Sequence, residues 1–210
     1  SFTIPEKDNN QAPMTDKVFF IIRFPQCEGY FFNPSVYNAN DPDKTELLAN
    51  PDFQVGLDHW VIEFDAWFSA GSKLYSWKND AMELSVVPFD AELVGYEEKA
   101  EPKMLEIKNT ATDKRQLMQL VPVQVGKTYH FSFTLSKTIT DDNFEIVCRT
   151  DDTTQNKRNG VNADIKRVSK VKKGQCYEYT YSFTIPEKSN DGNPVSSKLF
   201  FIIRFTGPCE

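Results

Sequence analysis

The sequence predicts an all-β fold, an antiparallel β-sandwich, and three observations predict it. Apolar and polar residues alternate with a period of two along several segments, the pattern of strands with one buried face. Turn-forming pairs punctuate the chain at Asn50-Pro51, Gly71-Ser72, Gly126-Lys127, Asn159-Gly160, Lys173-Gly174 and Asp191-Gly192. The 17 Phe and 8 Tyr make an aromatic load that suits pleated sheets. No amphipathic helix stands out, and many short strands between turns read as a sandwich.

The elements are taken in chain order. Tyr30–Tyr37 and Glu46–Leu48 read as strands, the second running into the Asn50-Pro51 turn. Met82–Val87, Met104–Lys108 and Gln116–Leu120 come next. In the last of these the apolar Leu117 marks the inward face and leaves Gln116 on the opposite one. From 129 onward, Tyr129, Phe131, Phe133 and Leu135 alternate with His130, Ser132, Thr134 and Ser136, so the second set belongs to a non-core face. Phe144, Ile146 and Cys148 alternate with Glu145, Val147 and Arg149, which puts Arg149 on such a face as well. Tyr177, Tyr179, Tyr181, Phe183 and Ile185 alternate with Glu178, Thr180, Ser182 and Thr184. Lys198–Phe205 is apolar on both faces apart from Lys198 and Arg204, as a central strand would be.

Two segments are nearly the same. Residues 1–24 and 182–205 are identical at 16 of 24 positions, without a gap, at an offset of 181 residues. Such identity marks a repeating unit. The chain, which starts at Ser1, is therefore expected to begin inside the end of one copy and to run through most of the next. Residues 1–28 would be the C-terminal hairpin of a preceding unit, 29–45 a closing strand and linker, and 46–210 the sandwich module. Burying Phe19, Phe20, Ile21 and Ile22 stabilises by roughly 1.5–3 kcal/mol each. Residues 1–24 are thus expected to compete with 182–205 for one slot, or to pack on an adjacent repeat copy in a strand-exchanged oligomer.

Composition narrows the function. The 210 residues, 40% hydrophobic, can bury a real core. A net charge of −6 argues against a nucleic-acid partner. The one basic run (Lys157, Arg158, Lys166, Arg167, Lys170, Lys172 and Lys173) reads first as a solvated hairpin rim and second as a contact for an acidic polymer. No apolar stretch reaches the ~18 residues of a membrane helix. Of the four cysteines, Cys27 and Cys209 are repeat equivalents, while Cys148 and Cys176 sit on neighbouring strand candidates and could bridge. No CxxC spacing suggests a metal cluster. His59 and His130 are the only histidines, and neither belongs to a nucleophile elbow, a zinc motif or a phosphate loop. No catalytic residue is assigned.

Aromatic side chains in polar surroundings suit sugar rings, whose C–H faces stack on rings while their hydroxyls meet planar polar groups. The stretch 61–79 supplies Trp67, Tyr75 and Trp77 among Ser69, Gly71, Ser72, Ser76, Lys78 and Asn79. Tyr75 and Trp77 are two apart and face one way on an extended segment. Each of the three could instead cap the core edge. Gln116, His130 and Arg149, on non-core faces, complete the candidate carbohydrate contacts, with a solvent-exposed strand position as the plain alternative.

Three motifs carry a resemblance. Glu46-Leu47-Leu48-Ala49-Asn50-Pro51-Asp52-Phe53-Gln54-Val55-Gly56-Leu57-Asp58-His59-Trp60 resembles the opening Leu-Leu/Ile-x-Asn-Gly-x-Phe-Glu-x-Gly-x-x-x-Trp pattern of family 4 carbohydrate-binding modules and their relatives in families 9, 16 and 22. Gln116-Leu117-Met118-Gln119, with Val125-Gly126-Lys127-Thr128-Tyr129 after it, is similar to a second segment of those modules. Gly29–Tyr37 is similar to their closing strand. The resemblance spans most of residues 29–205. It implies a jelly-roll β-sandwich (galactose-binding-like), Trp60 in the core, and residues 29–37 filling the edge that a closing strand would take. It implies a secreted or cell-surface bacterial protein, part of a larger glycoside hydrolase such as the family 10 xylanases of gut bacteria. The expected function is non-catalytic binding of β-linked plant polysaccharide, xylan or β-glucan, beside a linked catalytic domain. The alternative is a structural or adhesive repeat that associates by strand exchange. Relatives often hold a structural calcium, and the matching positions here are Gln54 and Asn33, whose neutral amides would weaken it; no other cofactor is implied.

Overall fold

The computed structural model describes residues 17–24, 27–62, 66–67, 71–96, 102–110, 115–136, 144–149, 160–161, 166–188 and 200–205. In chain order the elements are β1 (Lys17–Phe24), β2 (Cys27–Asn38), β3 (Trp60–Ile62), β4 (Ala66–Trp67), β5 (Ser76–Lys78), β6 (Met82–Pro88), α1 (Ala91–Val94), β7 (Lys103–Asn109), β8 (Arg115–Pro122), β9 (Thr128–Leu135), β10 (Phe144–Arg149), β11 (Gly160–Val161), β12 (Lys166–Lys173), β13 (Cys176–Thr184) and β14 (Phe200–Phe205). They build two seven-stranded sheets, in the orders β11-β10-β14-β1-β8-β3-β4 and β12-β13-β9-β2-β7-β6-β5. The fold is all-β, as the alternation predicts.

One core serves both sheets. Trp60, Ile62, Leu117 and Val121 of the first sheet cluster with Phe31, Leu84, Phe131, Phe133 and Tyr179 of the second. Trp60 is fully buried, with Phe53 stacked on it at 5.3 Å and Phe31 meeting it edge-on at 6.3 Å. The predicted alternation holds over the first part of β9, where Phe131 and Phe133 are buried while His130 and Ser132 stay half-exposed; further on, Thr134 and Ser136, expected on the non-core face, are buried as well.

Strand β2 needs more than alternation. Phe31 and Val36 are both core residues although five apart, which strict period-2 geometry forbids. A bulge between Phe32 and Ser35 inserts the extra residue, with Asn33 in the left-handed region at φ 51. Before the bulge, Tyr30 and Phe32 point away from the core; after it, Ser35 and Tyr37 do, opposite Ser132 and His130. β2 lies between β9 and β7, so residues 29–37 do complete a sheet of this chain, from an interior place rather than an edge.

The opening motif folds as a tight loop, and here the structure corrects the reading of Glu46–Leu48 as a strand. A single ladder-like bond, from the Leu47 N–H to the Val36 carbonyl at 2.9 Å, is supplemented by the Glu46 carboxylate accepting from the Val36 and Leu48 N–H groups. Asn50 organises the loop from Pro51 to Trp60. Its amide donates to the Gly56 and Asp58 carbonyls at 2.9 and 3.1 Å, its Oδ1 accepts from Val55 N–H, and its carbonyl accepts from the Trp60 indole at 3.3 Å. Gly56 has φ +72, and a Cβ there would sit 2.3 Å from the Leu74 carbonyl oxygen. Only glycine fits.

The edges are protected in recognised ways. Both edge strands of the first sheet, β11 and β4, are two residues long, and β5 at one edge of the second is three. The other edge, β12, carries the basic run from Lys166 to Lys173, which discourages edge-to-edge pairing and matches the rim reading. Lys157 and Arg158 lie outside the described residues.

The cysteine expectation is also corrected. Cys176 is a free, buried thiol that donates to the Val94 carbonyl at 3.1 Å. Cys148 is on β10 and Cys176 on β13, strands of different sheets.

Candidate functional site

The outward face of the second sheet divides in two. One end is covered by the segment 88–96. Asp90 caps α1 by accepting from the Glu92 and Leu93 N–H groups, and Gly95 closes it in the left-handed conformation. This turn carries Val94 and Tyr96 onto Phe32, Met104 and Cys176, a second small core with Phe89 and Tyr30 at its margin. Tyr96 meets Phe32 edge-on at 5.0 Å. Burial pushes the Cys176 thiol up to about 11, so it stays protonated at neutral pH.

Beside α1 a cavity of about 510 Å³ opens, lined by Tyr30, Val87, Phe89, Glu92, Met104 and Glu106 among others. Tyr30 lies opposite Glu106 on β7. Burial, and then the Glu106 carboxylate, hold its phenol above the ordinary value, so it remains a hydroxyl donor. Lys108 bridges Glu106 at 3.3 Å and Glu28 at 3.7 Å. The cavity thus has phenyl and phenol walls and a carboxylate margin.

At the other end, among the described residues, the face carries no such cover. Tyr37, His130 and Ser182 occupy one register row across β2, β9 and β13; Ser35, Ser132 and Thr180 occupy the next. All six are half-exposed. The Tyr37 and His130 rings lie 5.3 Å apart, and the Ser182 hydroxyl hydrogen-bonds His130 Nδ1 at 2.6 Å. Among the described residues no carboxylate orients the other ring nitrogen.

The six sequence-predicted contacts are divided between the two sheets. His130 sits on the face just described. Tyr75 and Trp77 belong to the edge of the same sheet. Trp77 lies opposite Leu84 and packs against the core, so it caps the core edge. Tyr75 is 42% exposed, but the Lys103 ammonium covers its ring at 4.4 Å and its hydroxyl donates to the Gln54 carbonyl. Trp67, Gln116 and Arg149 are on β4, β8 and β10 of the first sheet, across the core from His130. Their backbones take part in the ladders, and their side chains lie outside the described residues. Where that sheet's outward face can be followed, Val61 and Met118 are buried.

Sequence reasoning passed over Tyr30, Tyr37, Phe89 and Glu106. The aromatic alternation of 30–37 was the available signal, hidden by the bulge.

The positions matched to a structural calcium are Gln54, exposed in the opening loop with its amide neutral, and Asn33. Asn33 is a neutral amide on the bulge, and among the described residues no group of three His, Cys, Asp or Glu could hold a cation. No protein-family model, no curated protein and no solved structure matches the chain.

Proposed function

We propose that this chain is a non-catalytic carbohydrate-binding module, a jelly-roll sandwich that holds β-linked plant polysaccharide, xylan first, outside the cell. The observation that carries the reading is the outward face of the second sheet. Small hydroxyl side chains (Ser35, Ser132, Thr180 and Ser182) form a low polar floor, with His130 and Tyr37 at one end and the Tyr30–Phe89 cavity at the other. Sugar rings stack on the phenols, contributing on the order of 0.5–1.5 kcal/mol beyond area burial. The floor and the His130 ring exchange hydrogen bonds with ring hydroxyls. An open site of this kind binds at roughly −5 to −8 kcal/mol, or about 0.1 mM to 1 μM. Its use is mass action, keeping a linked glycoside hydrolase beside a long-chain substrate.

Affinity electrophoresis in gels containing xylan, barley glucan or cellulose tests this. The chain should be retarded by at least one polymer, and Tyr37→Ala and Tyr30→Ala should each lose retardation while keeping the parent's melting temperature. Unretarded parent protein in all three gels would refute binding. Full retardation of both variants would move the site elsewhere. Release of reducing sugar would replace the binding reading with an enzymatic one.

A further inference from the structure

Residues 17–24 and 198–205 differ only at Val18 and Leu199. β1 lies antiparallel to β8 over all eight of its residues, from Lys17 opposite Pro122 to Phe24 opposite Arg115. β14 lies on the far side of β1 and runs parallel to it, with Phe20 beside Phe201, Ile21 beside Ile202 and Ile22 beside Ile203. Each residue thus neighbours its own repeat counterpart. This is the one parallel pairing among the described strands, and parallel ladders are slightly the weaker kind.

Strand β10 shows what the arrangement means. It pairs antiparallel with β14, Phe144 opposite Phe205 through Val147 opposite Ile202. Continued by two residues, that register would set Arg149 opposite Phe200. Instead Arg149 pairs with Phe19, the counterpart of Phe200 at the offset of 181. β10 therefore reads the two copies as one strand in one register. On the other side, β8 would meet the same residue types from either copy, position by position, except at Val121, which faces Val18 or would face Leu199. Register is specified by the side-chain pattern, and here the patterns match.

We propose that the place beside β8, filled here by β1, is a strand-docking site that accepts 17–24 or 198–205 interchangeably, and that the partner it fits is a second copy of this chain donating its own 198–205 strand. Because one ladder replaces another of nearly the same composition, exchange costs little and protein concentration sets its extent. A donated strand joins copies head to tail, a heterologous contact that propagates or closes into a ring.

Proline pairs in the full chain test the interchange, since proline removes ladder donors. Phe20→Pro with Ile22→Pro disables the first copy, and Phe201→Pro with Ile203→Pro the second. Each pair alone should leave a cooperative melting transition, and all four together should abolish it. Additive losses would overturn the proposal. A second measurement does not depend on the prolines folding. With Cys27, Cys148 and Cys209 changed to Ser, a chain carrying Met118→Cys is mixed with one carrying Ile202→Cys. A disulfide between the two chains, increasing with concentration, is expected. Cross-linking of Met118→Cys only to Ile21→Cys, with a monomer at every concentration by light scattering, would refute exchange.

Discussion

Gln119→Met is the sharpest test of how the opening motif is held. Gln119 is buried, and both ends of its amide bond the backbone of Ala49: Oε1 accepts from the Ala49 N–H at 2.5 Å and Nε2 donates to its carbonyl at 2.7 Å. The side chain thus acts as a strand partner for a segment that forms no ladder of its own. Methionine keeps nearly the same volume, so the substitution removes the two bonds without opening a cavity. Each bond contributes about 0.5–1.5 kcal/mol net, and Ala49 is only half-buried, so water satisfies part of what is lost. The sum is about 1–3 kcal/mol, or roughly a 5- to 150-fold change in the unfolding equilibrium. Urea titration monitored by tryptophan fluorescence reads it. At an m-value of about 2 kcal/mol per M the midpoint should fall by about 0.5–1.5 M with the slope unchanged. A midpoint shift under ~0.2 M would mean that these bonds do not hold the 46–50 segment on β8, and the account of the motif would fail.

Three further outcomes are expected. Gly56→Ala should destabilise by more than Gly126→Ala, which at φ +78 has open space around it and should lose only about 1 kcal/mol; equal effects on melting temperature would show that the approach of the Leu74 carbonyl is not the constraint. Asp58 is buried, and its carboxylate accepts from the Ser72 hydroxyl and from the Gly71 and Lys73 N–H groups at 2.5 and 2.7 Å; these bonds, the Ser72 one first, hold its carboxyl below the usual aspartate value. A lowered folded-state value means that its stabilisation is present above the unfolded value of about 3.9 and disappears as pH falls through the folded one, so Asp58→Asn should flatten the loss of melting temperature between pH 5 and pH 2, and an unchanged acid limb would contradict this. With the other three cysteines replaced by serine, Cys176 should resist a thiol reagent at pH 8 and react at the rate of unfolding, because its thiol is covered by Val94 and stays protonated; labelling within seconds in the native protein would overturn that placement.

Much of the second sheet was legible because burial on one face imposes period-2 order directly. β9 and β13 need no neighbours to sort Phe131, Phe133, Tyr179 and Phe183 inward and His130, Ser132, Thr180 and Ser182 outward. Trp60 was legible through its motif. For Tyr75 and Trp77 alternation gives only a relative side on an extended segment; packing against the core decided where Trp77 lies. The bulge at 33–34 was not legible, since Asn33 tolerates the left-handed region without requiring it, and the parity of Tyr30 against Tyr37 turned on it. Nor could local pattern reveal that Gln116 and His130 stand on different sheets.

By itself the sequence determined the strand-rich character, the inward side of the long regular strands, and the presence of two nearly identical copies of one strand. Those properties come from the order of residues along a single segment, where the pleat alone dictates what is buried. The tertiary structure alone decided which sheet each strand joins, where β2 bends, that the 88–96 turn covers one end of the polar face, and that the two strand copies lie side by side between β8 and β10. Such outcomes depend on contacts between residues far apart in the chain, whose partners are chosen by the closure of a shared core.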